Sequence, residues 1–242
     1  NGNLILISTS DAASGNASIA PIPIGASVTG NVSVQRFMSA ESRIQREISS
    51  PVQTPQVSQI QTPLAGSGGT GITITGPFTG TSFPCAGCTT NGPSMYFYNE
   101  APGGASSAGW TGSGFPAASN TETLAVGRGY SLLVRNELGA RTMALTGTIN
   151  SGDINLPVTY NNSGSPVDDG WNLVGNPYPS SVSWINSLGW TKGNIQGNAV
   201  YVWDAALGQY KSHNGGGGSL PNGTIATRSE ERRVGKECRS RW

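Results

Sequence analysis

The chain has 242 residues, of which 35 are glycine and 15 are proline, and so many turn-forming residues argue against a mostly helical protein. Charged residues make up 11% of the sequence and aromatic residues 7%, whereas intrinsically disordered chains carry many charges and few aromatic residues. The formal net charge is +1, and residues 1–227 alone hold 8 basic and 10 acidic residues, which argues against nucleic acid or an anionic membrane as a partner. We therefore expect a packed, all-β protein.

Short strands are predicted where runs of β-branched, leucine or aromatic residues stand between clusters of Gly, Ser, Asn and Pro. In chain order these runs are 4–7, 26–29, 31–37, 71–75, 95–98, 130–134, 142–146, 154–158, 171–174 and 199–203. A tight turn is predicted at 176–179, because two prolines fix φ and the asparagine side chain bonds locally, and one short helix is predicted at 181–188. Since no apolar run approaches the ~18–20 residues of a membrane span, we expect no membrane insertion.

An internal repeat is the most informative feature for the architecture. Three segments at 48–52, 95–98 and 124–134 return in the same order at 174–178, 200–204 and 223–226. The repeat predicts two related β-sandwich or jelly-roll-like units, at 1–140 and 141–227. The second copy of the strand that starts near Gly127 would begin at about residue 228, so we expect this unit to be truncated, with Val234 taking the place of the missing strand.

The basic tail at 228–242 differs in character from the rest of the chain. Its sequence RSEERRVGKECRSRW resembles the translation of a common sequencing adapter over its whole length. The resemblance implies a non-native tail, which is set aside in predicting the fold, and the alternative is a genuine arginine-rich tail. The chain opens at Asn1 without a signal region, so we expect it to be a metagenomic fragment of a longer reading frame.

The segment GWNLVGNPYPSS at 170–181, with Trp184, Trp190 and 200–204, resembles a conserved β-rich region of large secreted and cell-surface proteins of Bacteroidetes. The segments 34–37, 49–52, 98–100 and 127–130 resemble the preceding unit of the same proteins. There the region stands upstream of a type IX secretion sorting domain. The resemblance therefore implies an extracellular protein, or one on the outer face of the outer membrane, and it carries over no catalytic residue.

Cys85 and Cys88 form a CxxC motif in a loop-like stretch that follows Pro84. We predict a possible local disulfide, which fits an oxidising extracellular compartment, and keep free thiols as the alternative. A thioredoxin-like site needs a βαβ context, which this loop-like stretch does not offer. A structural zinc needs four ligands, and His213 is the one histidine that could join the two cysteines outside the tail. We therefore expect no metal and no cofactor.

The acidic residues and the single histidine suggest no catalytic site. His213 is predicted to be a solvated loop residue, because no nucleophile motif accompanies it to form a triad with Asp153 or Asp204. Asp168 and Asp169 offer oxygen ligands to a calcium ion, but their role in turns explains them equally well. We expect no catalytic residue and no enzyme activity in this chain.

The tryptophans divide into predicted core and predicted surface residues. Trp171 and Trp203 lie within apolar strand runs and are predicted to be core. Trp184 and Trp190 flank a predicted turn, so with Tyr178 they are the candidates for a sugar-stacking platform. An exposed, coplanar pair of rings would favour carbohydrate binding, whereas burial would argue against it.

Together these observations predict a non-catalytic structural or adhesive β module of an exported bacterial surface or secreted protein. The alternative is a carbohydrate-binding module that serves an enzyme elsewhere in the full-length chain. The expected partners are surface glycans, other extracellular proteins and neighbouring domains of the same chain.

Overall fold

The computed structural model describes residues 4–10, 16–39, 44–61, 71–75, 93–100, 106–110, 114–117, 119–134, 140–156, 158–164, 168–184, 190–192, 199–205, 207–213, 219, 224–225 and 232–234. The strands are β1 (Leu4–Leu6), β2 (Val32–Met38), β3 (Ile44–Ile48), β4 (Met95–Phe97), β5 (Tyr130–Val134), β6 (Arg141–Gly147), β7 (Asn172–Val174), β8 (Val182–Ser183), β9 (Val200–Asp204), β10 (Gln209–His213), β11 (Thr224–Ile225) and β12 (Arg232–Val234). The helices are α1 (Val57–Gln61) and a 3-10 helix (Ser106–Trp110). This composition confirms the predicted all-β class, and no helix within these residues has the length and apolar character to cross a bilayer.

Two three-stranded sheets surround the first core. One sheet has the order β1-β2-β6, in which β1 runs parallel to β2 and β6 antiparallel to it. The other is antiparallel and has the order β3-β5-β4. Alternation along β5 sends Tyr130, Leu132 and Val134 into the core, as the two-residue period of a strand requires. The core also includes Met143, Leu145 and Ile149, so β6, which begins just after residue 140, packs with the first core.

A second, smaller core lies under a four-stranded sheet of order β10-β9-β12-β7. Its buried members are Val174, Trp184, Val200 and Val202, and a two-stranded sheet of β8 and β11 accompanies it. β12 lies between β7 and β9 and is antiparallel to both. The tail segment around Val234 thus occupies the strand position predicted for it, and the order β7-β12-β9 matches β3-β5-β4 of the first core.

Several predicted elements differ from the observed ones. No strand forms within 26–29, within 71–75 or within the described part of 154–158. The helix predicted at 181–188 is wrong in its described part, because Val182–Ser183 is strand β8 and pairs with β11. β3, β10 and α1 were not predicted, since their many polar residues hide the apolar pattern on which the prediction depends.

A buried seam joins the two cores where β3 and β7 end. The Oγ of Ser49 donates a hydrogen bond of 2.8 Å to the carbonyl of Asn176. A Cβ placed on Gly175 would overlap the Cβ of Ser49 and lie 2.8 Å from its Oγ. The Nδ2 of Asn150 bonds the Ser50 carbonyl at 3.1 Å and the Pro177 carbonyl at 2.9 Å. We call Ser49, Ser50, Asn150, Gly175, Asn176 and Pro177 the seam.

The predicted turn at 176–179 is confirmed. The Tyr178 N–H donates to Oδ1 of Asn176 at 3.0 Å, and Nδ2 of Asn176 bonds the Ser180 carbonyl at 2.7 Å. The same arrangement stands at the end of β3, where the Val52 N–H donates to Oγ of Ser50 at 3.2 Å. In both turns the side chain of the residue before the proline accepts a hydrogen bond from the N–H of the residue after the proline.

Replacing Asn150 with alanine is expected to destabilise the seam. Asn150 is 3% exposed, so its loss leaves two buried carbonyls without their donor, at a cost of about 2 kcal/mol in the free energy of unfolding. Urea denaturation followed by circular dichroism measures this loss. Asn120→Ala is the control, because that side chain makes a half-buried bond to Gln61, and equal losses in the two variants would contradict the role of Asn150.

Candidate functional site

The outer face of the β3-β5-β4 sheet presents a row of polar side chains. Glu47 pairs with Ser131 across β3 and β5, and Tyr96 pairs with Ser131 across β4 and β5. The three side chains therefore lie on one face, as neighbours across strands do. Glu47 is 4% exposed and Ser131 is 6% exposed, so the row forms a floor beneath more exposed side chains.

The hairpin of β9 and β10 builds one wall beside this floor. Trp203 and Tyr210 are directly paired in its register, with ring centroids 5.0 Å apart and planes at 64°. The indole N–H of Trp203 donates to the Gln45 carbonyl at 2.9 Å, and the Tyr210 hydroxyl donates to Oε1 of Glu47 at 2.7 Å. Each ring of the wall is thus tied to the strand that forms the floor.

Trp110 contributes a further ring from the 3-10 helix. It packs edge-on against Tyr98 at 5.2 Å, whose hydroxyl donates to the Ser106 carbonyl at 2.9 Å. The Ser106 N–H in turn donates to Oδ1 of Asp168 at 3.0 Å, so both ends of the helix are held.

These residues enclose a groove of about 540 Å³, within the range of about 300–1,000 Å³ typical of small-molecule sites. We call it the aromatic groove, and its lining residues are Gln45, Glu47, Tyr96, Trp110, Ser131, Trp203 and Tyr210. Four aromatic rings stand beside a carboxyl, an amide and a hydroxyl group, which is the mixture that binds ligands with both apolar faces and polar edges.

The structure does not bring the predicted sugar-stacking residues together as an exposed platform. Trp184 is 1% exposed, so its prediction as a surface residue is wrong: it belongs to the second core. Trp190 is half-buried and packs against Trp184 at 5.0 Å with the planes at 63°. Lys192 covers the Trp184 ring at 4.1 Å.

Tyr178, the third predicted stacking residue, is half-buried beside the 176–179 turn. Its hydroxyl donates to the Gly152 carbonyl at 2.6 Å. Burial and the nearby charge of Asp153 raise the pKa of Tyr178 above its usual value of 10.0, against a lowering contribution from a backbone hydrogen bond at Ile154. The hydroxyl therefore stays protonated at neutral pH and serves as a donor.

Two further expectations are wrong. Trp203 and Trp171 were predicted to be core but are half-buried. For Trp203 the reason is that alternation along β9 directs Val200 and Val202 to the core and Trp203 to the opposite face. His213 is the last residue of β10 and is 4% exposed, not a solvated loop residue. A triad of His213 with Asp204 is excluded by the register, since the two residues lie at opposite ends of the hairpin.

The acidic residues considered for calcium act in turns of the chain. Asp168 accepts from the Ser106 N–H, and Asp169 accepts from both the N–H and the hydroxyl of Ser163. Within the part of the chain that the structure describes, no three His, Cys, Asp or Glu residues form a cluster suited to a metal. Cys85 and Cys88 lie outside the described residues, so their disulfide stays a prediction.

Sequence reasoning missed the aromatic groove, although one signal for it was present. In Met95-Tyr96-Phe97 the period of two places Tyr96 opposite the buried Met95. The strands that supply Glu47 and Tyr210 were not predicted, so nothing in the sequence brought them together.

The comparisons with known proteins identify a family and no function. The chain matches the family model of DUF8693, a domain of unknown function, over residues 74–215, which is more than half of its length. Five groove residues lie within this range, and Gln45 and Glu47 precede it. No curated protein and no solved structure matches the chain. The chain belongs to the DUF8693 domain family.

Proposed function

We propose that this chain is a non-catalytic structural and adhesive β module of an exported bacterial protein, located on the cell surface or secreted. The resemblance of 170–181 and the first-half segments to surface proteins of Bacteroidetes supports the export route. The module consists of two related β-sandwich-like units, of which the second takes its closing strand from the non-native tail.

The observation that carries the structural role is the seam. Its six residues tie the ends of β3 and β7 together through hydrogen bonds that are buried from water. Buried, satisfied polar groups hold one arrangement of their partners, because any displacement leaves them unpaired. The seam therefore fixes how the end of β3 meets the end of β7, which suits a structural module.

Independent sequencing of the gene beyond codon 227 tests this proposal. We expect the frame to continue through a strand similar to 127–134, with glycine and an aromatic residue, and to end in a type IX sorting domain. A genome that encodes residues 228–242 would contradict the assignment of the tail. A frame without a sorting domain would contradict the export route.

The aromatic groove favours a second candidate function, a carbohydrate-binding module that accompanies an enzyme in the full-length chain. Its rings and polar floor suit sugars. The domains encoded beside this one distinguish the two functions, because an adjoining hydrolase domain supports the accessory role.

A further inference from the structure

The aromatic groove has the chemistry of a site for sugars. We propose that it binds a neutral glycan, an inference that rests on the proposed adhesive function and names its ligand. Trp203 and Trp110 offer ring faces to the C–H surfaces of sugar rings, which are apolar. Glu47, Gln45 and Ser131 line the same groove and are the hydrogen-bonding partners for sugar hydroxyls.

The wall formed by Trp203 and Tyr210 is ordered before a ligand arrives. Hydrogen bonds fix the indole of Trp203 to the Gln45 carbonyl and the phenol of Tyr210 to Glu47. A side chain that is already held loses little conformational freedom on binding, so more of the contact energy appears as affinity. The pair meets at 64°, which forms a corner that suits a bent or twisted oligosaccharide better than a flat crystalline chain.

The described lining of the groove disfavours an anionic ligand. Among the described residues that line it, Glu47 is the one charged member, and none is Lys, Arg or His. A uronate or phosphate would bring a second negative charge to the Glu47 carboxyl, and such like-charge contacts are unfavourable. An uncharged glycan meets the same carboxyl with hydroxyl donors, which form strong hydrogen bonds to it.

The size and the polar groups of the groove argue against other ligands with an affinity for aromatic rings. A quaternary ammonium group binds in a compact aromatic cage, whereas this groove measures about 540 Å³ and includes Gln45 and Ser131. A wholly apolar ligand would remove water from Glu47 and Ser131 without replacing their hydrogen bonds. A glycan of more than one unit uses both the rings and the floor.

Affinity electrophoresis of the 242-residue chain tests the proposal in gels that contain mixed-linkage β-glucan, mannan, xyloglucan or polygalacturonate. We expect at least one of the three neutral polysaccharides to retard the protein and polygalacturonate not to do so. Trp203→Ala is expected to weaken binding about tenfold or more, as loss of a central aromatic contact does. Glu47→Gln keeps the shape of the floor and is expected to weaken binding less.

The matched control is Tyr160→Ala, which removes an exposed aromatic ring that does not line the groove, and it should bind as the parent chain does. Trp110→Ala replaces Trp203→Ala if urea denaturation finds the latter unfolded. The proposal is overturned if no neutral polysaccharide retards the chain, if only polygalacturonate does, or if the groove variants bind unchanged. Calorimetric binding of choline without glycan binding would also overturn it. A gene that extends into a sorting domain would still support export after such a result.

Discussion

Replacing Gly175 with alanine is expected to lower the free energy of unfolding by about 3 kcal/mol, the upper end of the usual cost of overpacking. The new Cβ would overlap the Cβ of Ser49 and lie 3.2 Å from the Arg128 carbonyl. Backbone movement cannot easily relieve the overlap, since the Gly175 N–H is bonded to the Gly127 carbonyl at 2.9 Å. Urea denaturation followed by circular dichroism measures the loss.

Two variants separate steric overlap from a general effect of losing a glycine. Gly30→Ala introduces a Cβ that meets no atom within 4 Å at a φ of 90°, so it carries the conformational cost alone, about 1 kcal/mol. Ser49→Gly combined with Gly175→Ala moves the Cβ to the other side of the contact and should recover much of the stability. If Gly175→Ala costs no more than Gly30→Ala, the seam is not as tightly packed as described.

Replacing Trp184 with alanine is expected to cost about 4 kcal/mol, which is typical of a large aromatic side chain removed from a core. Trp184 is 1% exposed and packs with Val174, Val200 and Val202. Its removal leaves a cavity in a small core, which has few other apolar contacts to compensate. The loss is measured as a shift of the urea midpoint at unchanged slope.

Trp171→Ala is the matched control for this prediction. Trp171 is half-buried and its ring packs edge-on against Tyr201 at 5.5 Å, so about 1 kcal/mol is expected from the loss of the pair. Similar losses in the two variants would mean that Trp184 does not occupy the core. Glycan binding by Trp184→Ala under conditions in which it remains folded would show directly that this ring is not the stacking surface.

The sequence predicted the positions of strands best where the two faces of the strand differ in polarity or where most of its residues are apolar. β2, β5 and β6 fall within one or two residues of their predicted positions, because their apolar residues are numerous enough to mark a strand. β3 reads Ile-Gln-Arg-Glu-Ile and β10 reads Gln-Tyr-Lys-Ser-His, so three of five residues in β3 and four in β10 are polar or charged. β3 and β10 form strands because they pair with β5 and β9, so their own sequences do not predict them.

The candidate site was less predictable than the fold. Glu47 and Tyr210 are 163 positions apart in sequence and form a hydrogen bond, a proximity that no local pattern contains. Trp171 and Trp203 were predicted to be core because an apolar run was taken to mean burial of every side chain in it. In β9, Val200 and Val202 face the core, whereas Trp203 lies on the opposite face of the strand. An aromatic residue in an apolar run can therefore lie outside the core.

Ser49 and Gly175 stand at corresponding places, each directly after a strand and two residues before a proline. Two serines there would collide, and two glycines would forfeit the hydrogen bond that Ser49 makes to Asn176. The contact therefore requires a serine on one side and a glycine on the other. It differs in this from the interface of a twofold dimer, in which both sides present the same patch. Such a junction favours pairing of the two unlike halves over self-association of either half.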